Sequence, residues 1–144
     1  LRAGEYMDAL IEGRGDGTVD VIEWEHAPES DEAKAKGRRG IAMGVIGLEF
    51  AFPVLYTGLV LKGKIALDRL MHAMSVSPAR RFGLPSGSLC DGGAADLAVI
   101  DLSREWTVRG RESASKGNST PFEGRKVKAK NIMTILNGEI VWKE

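Results

Sequence analysis

Thr18-Val19-Asp20-Val21-Ile22-Glu23-Trp24-Glu25-His26-Ala27-Pro28-Glu29-Ser30 is the stretch on which the fold turns. Its first seven residues are rich in β-branched and aromatic side chains, which suit a half-buried extended backbone, and they predict a strand over 18–24. The strand ends in carboxylates, a histidine and a proline. Upstream, residues 5–12 place Met7, Leu10 and Ile11 at helical spacing, with Gly13 as a stop and Gly15-Asp16-Gly17 as turn chemistry. Helix, tight turn, then a strand with polar residues at its C-terminal end is the rhythm of an α/β barrel or open sheet. In such folds function gathers at the C-terminal ends of the strands.

Downstream, residues 30–40 are polar and glycine-punctuated and read as a surface loop with one helical turn. The segment Gly47 to Leu61 should be mostly helical, with Pro53 near its start or at a kink. Residues 65–74 form an amphipathic helix with Leu67, Leu70, Met71 and Met74 inward. Ser77-Pro78 then looks like an N-cap and first helical position, and Gly83 like the stop of a separate short helix. After Pro85 the texture changes. Glycines punctuate short β-type runs at Leu97–Ile100, Trp106–Val108, Ile132–Leu136 and Ile140–Trp142. Asn137-Gly138 between the last two is a type I′ hairpin signal. The part from about residue 86 onward should be a small, mostly antiparallel β unit.

Composition narrows the function. Twenty basic residues balance twenty acidic ones, so no global field draws in nucleic acid or an anionic membrane. The basic clusters Lys34–Arg39 and Arg125–Lys130 have acidic or apolar neighbours and read as solvated faces. The apolar run from Ile41 to Val60 is interrupted by Glu49, Pro53 and glycines and makes a poor membrane span. Cys90 is the single cysteine. It allows no internal disulfide and no cysteine-based zinc site, fits a reducing cytoplasm, and reads as a half-buried turn residue. Trp24, Trp106 and Trp142 read as core or sheet-face residues. The N-terminus Leu1-Arg2-Ala3-Gly4 has no methionine and no signal-peptide layout and reads as a chain entered midway.

Several local patterns occur in order along the chain. Val21 to Ser30 resembles the Asp-His-Ala-Pro-His signature of dihydroorotases, at the end of the eighth barrel strand. Gly44-Val45-Ile46-Gly47-Leu48-Glu49 is similar to the Gly-x-x-Gly-Leu-Glu loop that follows it. Ser77-Pro78-Ala79-Arg80-Arg81-Phe82-Gly83-Leu84 resembles the family's Asn-Pro-Ala-x-x-Phe-Gly-Leu element. Gly87-Ser88-Leu89 and Ala95-Asp96-Leu97 resemble a turn and strand shared by many amidohydrolases. Ser115-Lys116-Gly117-Asn118-Ser119-Thr120-Pro121-Phe122 is close to a dihydroorotase tail segment. The first and last of these patterns favour dihydroorotase over hydantoinase or allantoinase.

The resemblance implies an α/β fold: the C-terminal part of a (β/α)8 amidohydrolase barrel over 1–85, then a portion of a composite β-sandwich over 86–144. It implies a metal-dependent hydrolase that interconverts N-carbamoyl-L-aspartate and dihydroorotate in pyrimidine biosynthesis, with one or two zinc ions at the barrel mouth. Zinc would lower the pKa of bound water and polarise the scissile carbonyl. By carry-over, Glu25 stands at the family's metal-binding, proton-shuttling aspartate. Glu29 stands at its substrate-contacting histidine. Met43 and Gly44 stand where backbone groups contact substrate. Glutamate for aspartate moves the carboxylate by about 1.5 Å, and misplacement of that order costs roughly 100-fold in rate. Glu29 is anionic where the family binds a substrate carboxylate.

The metal inventory limits what these residues do unaided. The chain holds two histidines. His72 reads as a surface or packing residue, and the resemblance makes His26 mainly a support for the loop. Glu25, His26 and Glu29 do not converge on one point if successive strand residues face opposite ways, and catalytic zinc ordinarily takes three protein ligands. The expectation is a chain that binds no zinc and turns nothing over alone, with exposed strand edges and an apolar patch. Two other functions fit the same resemblance. One is a non-catalytic dihydroorotase-like scaffold for aspartate transcarbamoylase, or a homo-oligomer. The other is a hydantoinase- or allantoinase-type activity, with Glu29 favouring an uncharged or cationic ring.

Overall fold

The computed structural model describes residues 4–36 and 43–144. The 37–42 stretch of the first basic cluster and loop lies outside the described residues, as does the side chain of Met7. Helix α1 spans Gly4–Asp16 and so runs past the stop expected at Gly13. Gly13 is buried, and a Cβ there would stand 3.1 Å from Val19 Cγ2. The glycine thus admits the returning chain instead of ending the helix. The Val19 N–H donates to the Gly13 carbonyl at 2.8 Å, and the turn itself falls at Gly17.

The strand expected over 18–24 does not form a ladder: among the described residues no strand pairs with residues 18–30. Strand character needs a neighbour for every second backbone group, and here the partners are helical or loop groups instead. The Arg14 guanidinium donates to the Val19 carbonyl, the Ile22 N–H donates to the Ala73 carbonyl at 3.1 Å, and the Ala27 N–H to the Val45 carbonyl at 2.8 Å. Short helix α2, Asp31–Lys34, follows with Ser30 Oγ capping the Ala33 N–H at 3.2 Å, the single helical turn read from the sequence.

Helix α3, Ala51–Leu55, passes into a wide π-type turn at Tyr56–Val60, so Pro53 lies near the helix start as read. Helix α4, Leu67–Met71, continues through a second wide turn at His72–Val76 into α5, Ser77–Phe82, without a break in helical backbone. The expected cap at Ser77 is therefore wrong. Ser77 is buried inside a continuous rod, and its hydroxyl meets His72 Nδ1 at 2.9 Å. Pro78 has no N–H to give, and the wider turn ahead of it shifts the hydrogen-bond register at that point. Gly83 ends the rod in the left-handed conformation, φ 65°. Leu70 is fully buried, but Met71 is exposed rather than inward.

The β unit is a three-stranded antiparallel sheet in the order β1-β2-β3: β1 Leu97–Thr107, β2 Lys126–Leu136, β3 Glu139–Lys143. The two short runs read at 97–100 and 106–108 are joined into one strand. Its register against β2 jumps between Asp101 and Glu105, so a bulge rather than a loop separates them. Asn137 and Gly138 both take positive φ, 50° and 82°, which is the type I′ hairpin the dipeptide announced. The basic cluster at 125–130 lies largely on β2. Val127 and Ala129 point into the core while Lys128 and Lys130 pair with Glu105 and Glu144 at 3.1 and 2.9 Å. Cys90 is exposed in a turn, not half-buried.

One core joins the helical part to the sheet. Ile46, Phe50, Val54, Val108 and Val127 are buried together, with Trp24, Trp106 and Phe122 packed against them. Phe50 meets Trp106 at 6.1 Å between ring centroids. Thr57 Oγ1 accepts the Lys128 N–H at 2.8 Å, which ties the first wide turn to β2. The other end of the sheet is bare: Val99, Leu136, Ile140, Val141 and Trp142 all stand open to solvent, the apolar patch and exposed edge that the sequence suggested.

Candidate functional site

The segment 18–30 is fixed at its start and delivers its polar end into a cluster of loops. Arg14, buried at the end of α1, spans to the Val19 carbonyl and to the Arg69 carbonyl, the latter at 3.3 Å. Asp20 pairs with Arg81 of α5. That guanidinium, through its hydrogen bond, holds the Asp20 carboxyl below the usual carboxylate range. Trp24 then packs against Phe122 at 5.5 Å.

At the far end, His26 works as a loop support. Its Nδ1 accepts the N–H groups of Gly47 and Leu48 at 3.2 and 3.4 Å, so the ring proton sits on Nε2. Gly44 and Gly47 are both buried. A Cβ on Gly47 would overlap the Trp24 indole and come within 2.8 Å of the Glu25 carbonyl, and one on Gly44 would overlap the Ala27 carbonyl and stand 2.9 Å from Glu29 Cγ. The two segments quoted as motifs, 24–30 and 44–49, therefore lie backbone against backbone. The Lys34 ammonium donates to the Gly44 carbonyl from the side of α2.

Of the residues singled out in the sequence, Glu29 and Gly44 are brought together. Glu25 is exposed, with its carbonyl against Gly47, and Met43 is 89% exposed. Glu25 and His26 diverge in exposure, the former open and the latter half-buried. Among the described residues no three His, Cys, Asp or Glu side chains are grouped to hold a metal ion. His26 has one ring nitrogen already committed to two backbone N–H groups. Glu25, His26 and Glu29 therefore do not make the three-donor set that a catalytic zinc takes.

Sequence reasoning missed the third wall. The tail loop 110–120 folds back onto both motifs. Ser119 accepts the Ile46 N–H at 2.9 Å through its carbonyl, Glu49 Oε1 accepts the Ala114 N–H at 2.8 Å, and Asn118 Nδ2 donates to Asp31 Oδ2 at 3.2 Å. A shallow cavity of about 390 Å³ opens beside this loop, lined by Arg111, Asn118, Ser119, Thr120 and Glu123. The Ser-Lys-Gly-Asn-Ser-Thr-Pro-Phe segment was visible as a motif, but its place in space depends on contacts 65 and more residues away, which spacing does not encode.

A model of the amidohydrolase family matches residues 18–141. The chain is 44% identical over its whole length to a dihydroorotase of Bacillus cytotoxicus and covers 34% of that protein. Among solved structures, it superposes on an L-hydantoinase (dihydropyrimidinase) from Arthrobacter aurescens with TM-score 0.88 and 30% identity, covering 99% of this chain and 33% of that one. A dihydropyrimidinase from Brevibacillus agri gives TM-score 0.91 and 26% identity, with 99% and 32% covered. The chain thus spans about a third of the length of the relatives it matches. With the family model covering most of its residues, including the motif segment, the loop cluster and the sheet, this chain belongs to the amidohydrolase family.

Proposed function

We propose that this chain forms the C-terminal third of a dihydroorotase and contributes one wall of its active site. In this reading residues 1–85 supply the last barrel strand and its helices, and 86–144 the C-terminal portion of the β-sandwich. The observation that carries it is the backbone-to-backbone seating of 24–30 on 44–49, in a chain 44% identical throughout to a dihydroorotase. Glu25 is then the carboxylate that takes and returns the proton, as its exposed side chain allows. The peptide groups of Met43 and Gly44 orient the ring amide. Glu29, half-buried beside Gly44, faces the position of the substrate carboxylate with the wrong charge. The family implies zinc. Glu25, His26 and Glu29 do not by themselves give a catalytic zinc its usual three donors, so turnover by these 144 residues alone is not expected. Such an enzyme would work in the cytoplasm on a small-molecule substrate.

The test joins this chain to the N-terminal two thirds of the Bacillus cytotoxicus dihydroorotase and follows ring opening of dihydroorotate with zinc supplied. Slow turnover is expected, abolished by Glu25→Ala and raised on the order of 100-fold by Glu25→Asp, because a carboxylate displaced by about one methylene is returned to place. An inactive Glu25→Asp form refutes the reading. The half-buried Glu29 carboxylate and the superposition on a hydantoinase favour one second reading, an enzyme for an uncharged cyclic ureide. Ring opening of hydantoin or dihydrouracil, with dihydroorotate untouched, would select it.

A further inference from the structure

The tail loop carries more than the sheet requires. Gly117 is buried, and a Cβ on it would lie 2.8 Å from the Glu29 nitrogen, 2.9 Å from the Glu29 oxygen and 2.9 Å from Pro28 Cβ. Those are mainly backbone atoms, so the chain at Pro28–Glu29 itself would have to move. On either side of Gly117 the loop is pinned to the same two segments. Glu49 holds Ala114, Asn118 reaches Asp31 just beyond Glu29, and the Ser119 carbonyl takes the Ile46 N–H two residues past Gly44. The loop therefore backs Glu29 from behind and fixes the spacing between the 24–30 and 44–49 segments. The sheet supplies its anchor: the loop leaves β1 through Val108 and Gly110, both buried, and returns through Phe122, which packs on Trp24.

We infer that loop 110–120 is a positioning element of the candidate site, with Gly117 as the residue that sets where Glu29 stands relative to Gly44. This rests on the reading of 25–29 and 43–44 as substrate-facing. The physical basis is close packing: interiors transmit a methyl-sized insertion as displacement of whatever atoms it meets. Here those atoms belong to Glu29 and to Pro28 just before it. Gly117 touches no substrate in this scheme; it acts through Glu29.

The experiment has two arms. In the 144-residue chain, amide spectra of Gly117→Ala are compared with those of Gly138→Ala, which strains the remote hairpin. Gly117→Ala should move the amides of Ala27, Glu29 and Val45 several-fold more than Gly138→Ala does, with the β2–β3 amides unmoved. Glu49→Ala, which only removes the acceptor of the Ala114 N–H, should shift the same amides by less and guards against a misfolded Gly117→Ala. In the joined enzyme carrying Glu25→Asp, Gly117→Ala should lower KM for dihydroorotate several-fold with kcat nearly unchanged, because displacing the anionic Glu29 relieves its repulsion of the substrate carboxylate, a change in binding rather than in chemistry. Site amides that stay in place in both variants overturn the inference, and so does an unchanged KM. Absence of any turnover in the parent joined enzyme would instead sink the functional reading, while the amide arm still decides whether the loop positions Glu29.

Discussion

The sheet and the segment 18–30 are both built from β-type sequence, yet only one forms a ladder. Strands β1, β2 and β3 find one another within the same stretch of chain: β2 and β3 are separated by the two residues Asn137 and Gly138, and β1 pairs antiparallel with β2. Residues 18–24 carry the same valine- and isoleucine-rich pattern but meet a helical rod on one side and loops on the other. Antiparallel neighbours come cheaply through a hairpin, whereas a parallel neighbour needs a long crossover. Residue type therefore indicates willingness to be extended, and topology decides whether a ladder follows. The segment is held instead by packing and by scattered hydrogen bonds, and its geometry should depend on those few contacts far more than the geometry of the sheet does.

That contrast can be broken at its strongest point. Phe50 lies where the two regions meet, buried against Trp106. Phe50→Ala should cost about 4 kcal/mol in denaturant unfolding, as large-to-small core changes do, and should loosen both regions in one transition. Two separate transitions would mean that the sheet and the helical part are not coupled through this core. Gly47→Ala is a sharper instrument. Its new methyl would collide with the Trp24 indole beneath the Glu25 carbonyl. A loss of about 3 kcal/mol is expected, with the amide signals of 24–28 displaced and those of β2 and β3 retained. Equal disturbance of the sheet would show that the segment is less independent than its missing ladder suggests.

The same contrast explains what could be read beforehand. The hairpin was legible because Asn137-Gly138 is a local code: both residues must take positive φ, and few other pairs do so easily. The helix end at Gly83 was legible for the same reason. Ser77 misled because Ser-Pro is also a local code, for a helix start, and here the wide turn at His72–Val76 lets helical backbone continue through it. Gly13 misled because a glycine required by tertiary packing looks identical in sequence to one that ends a helix. At the candidate site the motif pattern marked Glu25, Glu29, Met43 and Gly44. Glu49, Gly117 and Asn118 also stood inside recognisable patterns, but nothing local told what they touch, because their partners lie far along the chain. Arg14, buried with its Nε lacking a hydrogen-bond partner among the described residues, gave no signal at all in a glycine-rich helix end.

Within the sheet, the smaller test is Gly138→Ala. A side chain at φ 82° is disfavoured, and about 1 kcal/mol should be lost, read as a lower denaturant midpoint. Because the strain is confined to the hairpin, Trp24 fluorescence, isolated by replacing Trp106 and Trp142 with phenylalanine, should report no change in the native baseline. A shifted baseline would mean that the bare end of the sheet communicates with the segment after all.

The smallest effect belongs to the start of the segment, where Asp20 meets Arg81 on the surface. The guanidinium lowers the Asp20 carboxyl from its ordinary value. A carboxyl lowered on folding stabilises the native state above its unfolded pKa, and that contribution disappears as pH falls through the lowered native value. Both side chains are roughly half exposed, so salt should weaken the pair and the effect on stability should be slight. The expected observation is a carboxyl-carbon titration of Asp20 with its midpoint below that of an unpaired surface aspartate, moving back toward the ordinary value in Arg81→Gln. In the same experiment the amides of Val21 and Ile22 should follow the Asp20 titration, since the segment has no ladder to hold it there. The sheet offers the counterpart in Glu144, whose carboxyl is also lowered, by Lys130 and Arg104. Its titration should leave the β2 amides near Ile132 almost unmoved, because the ladder fixes them whether or not the charge is present. If the two sites respond alike, the ladder contributes no local rigidity, and the distinction between the regions is one of appearance only.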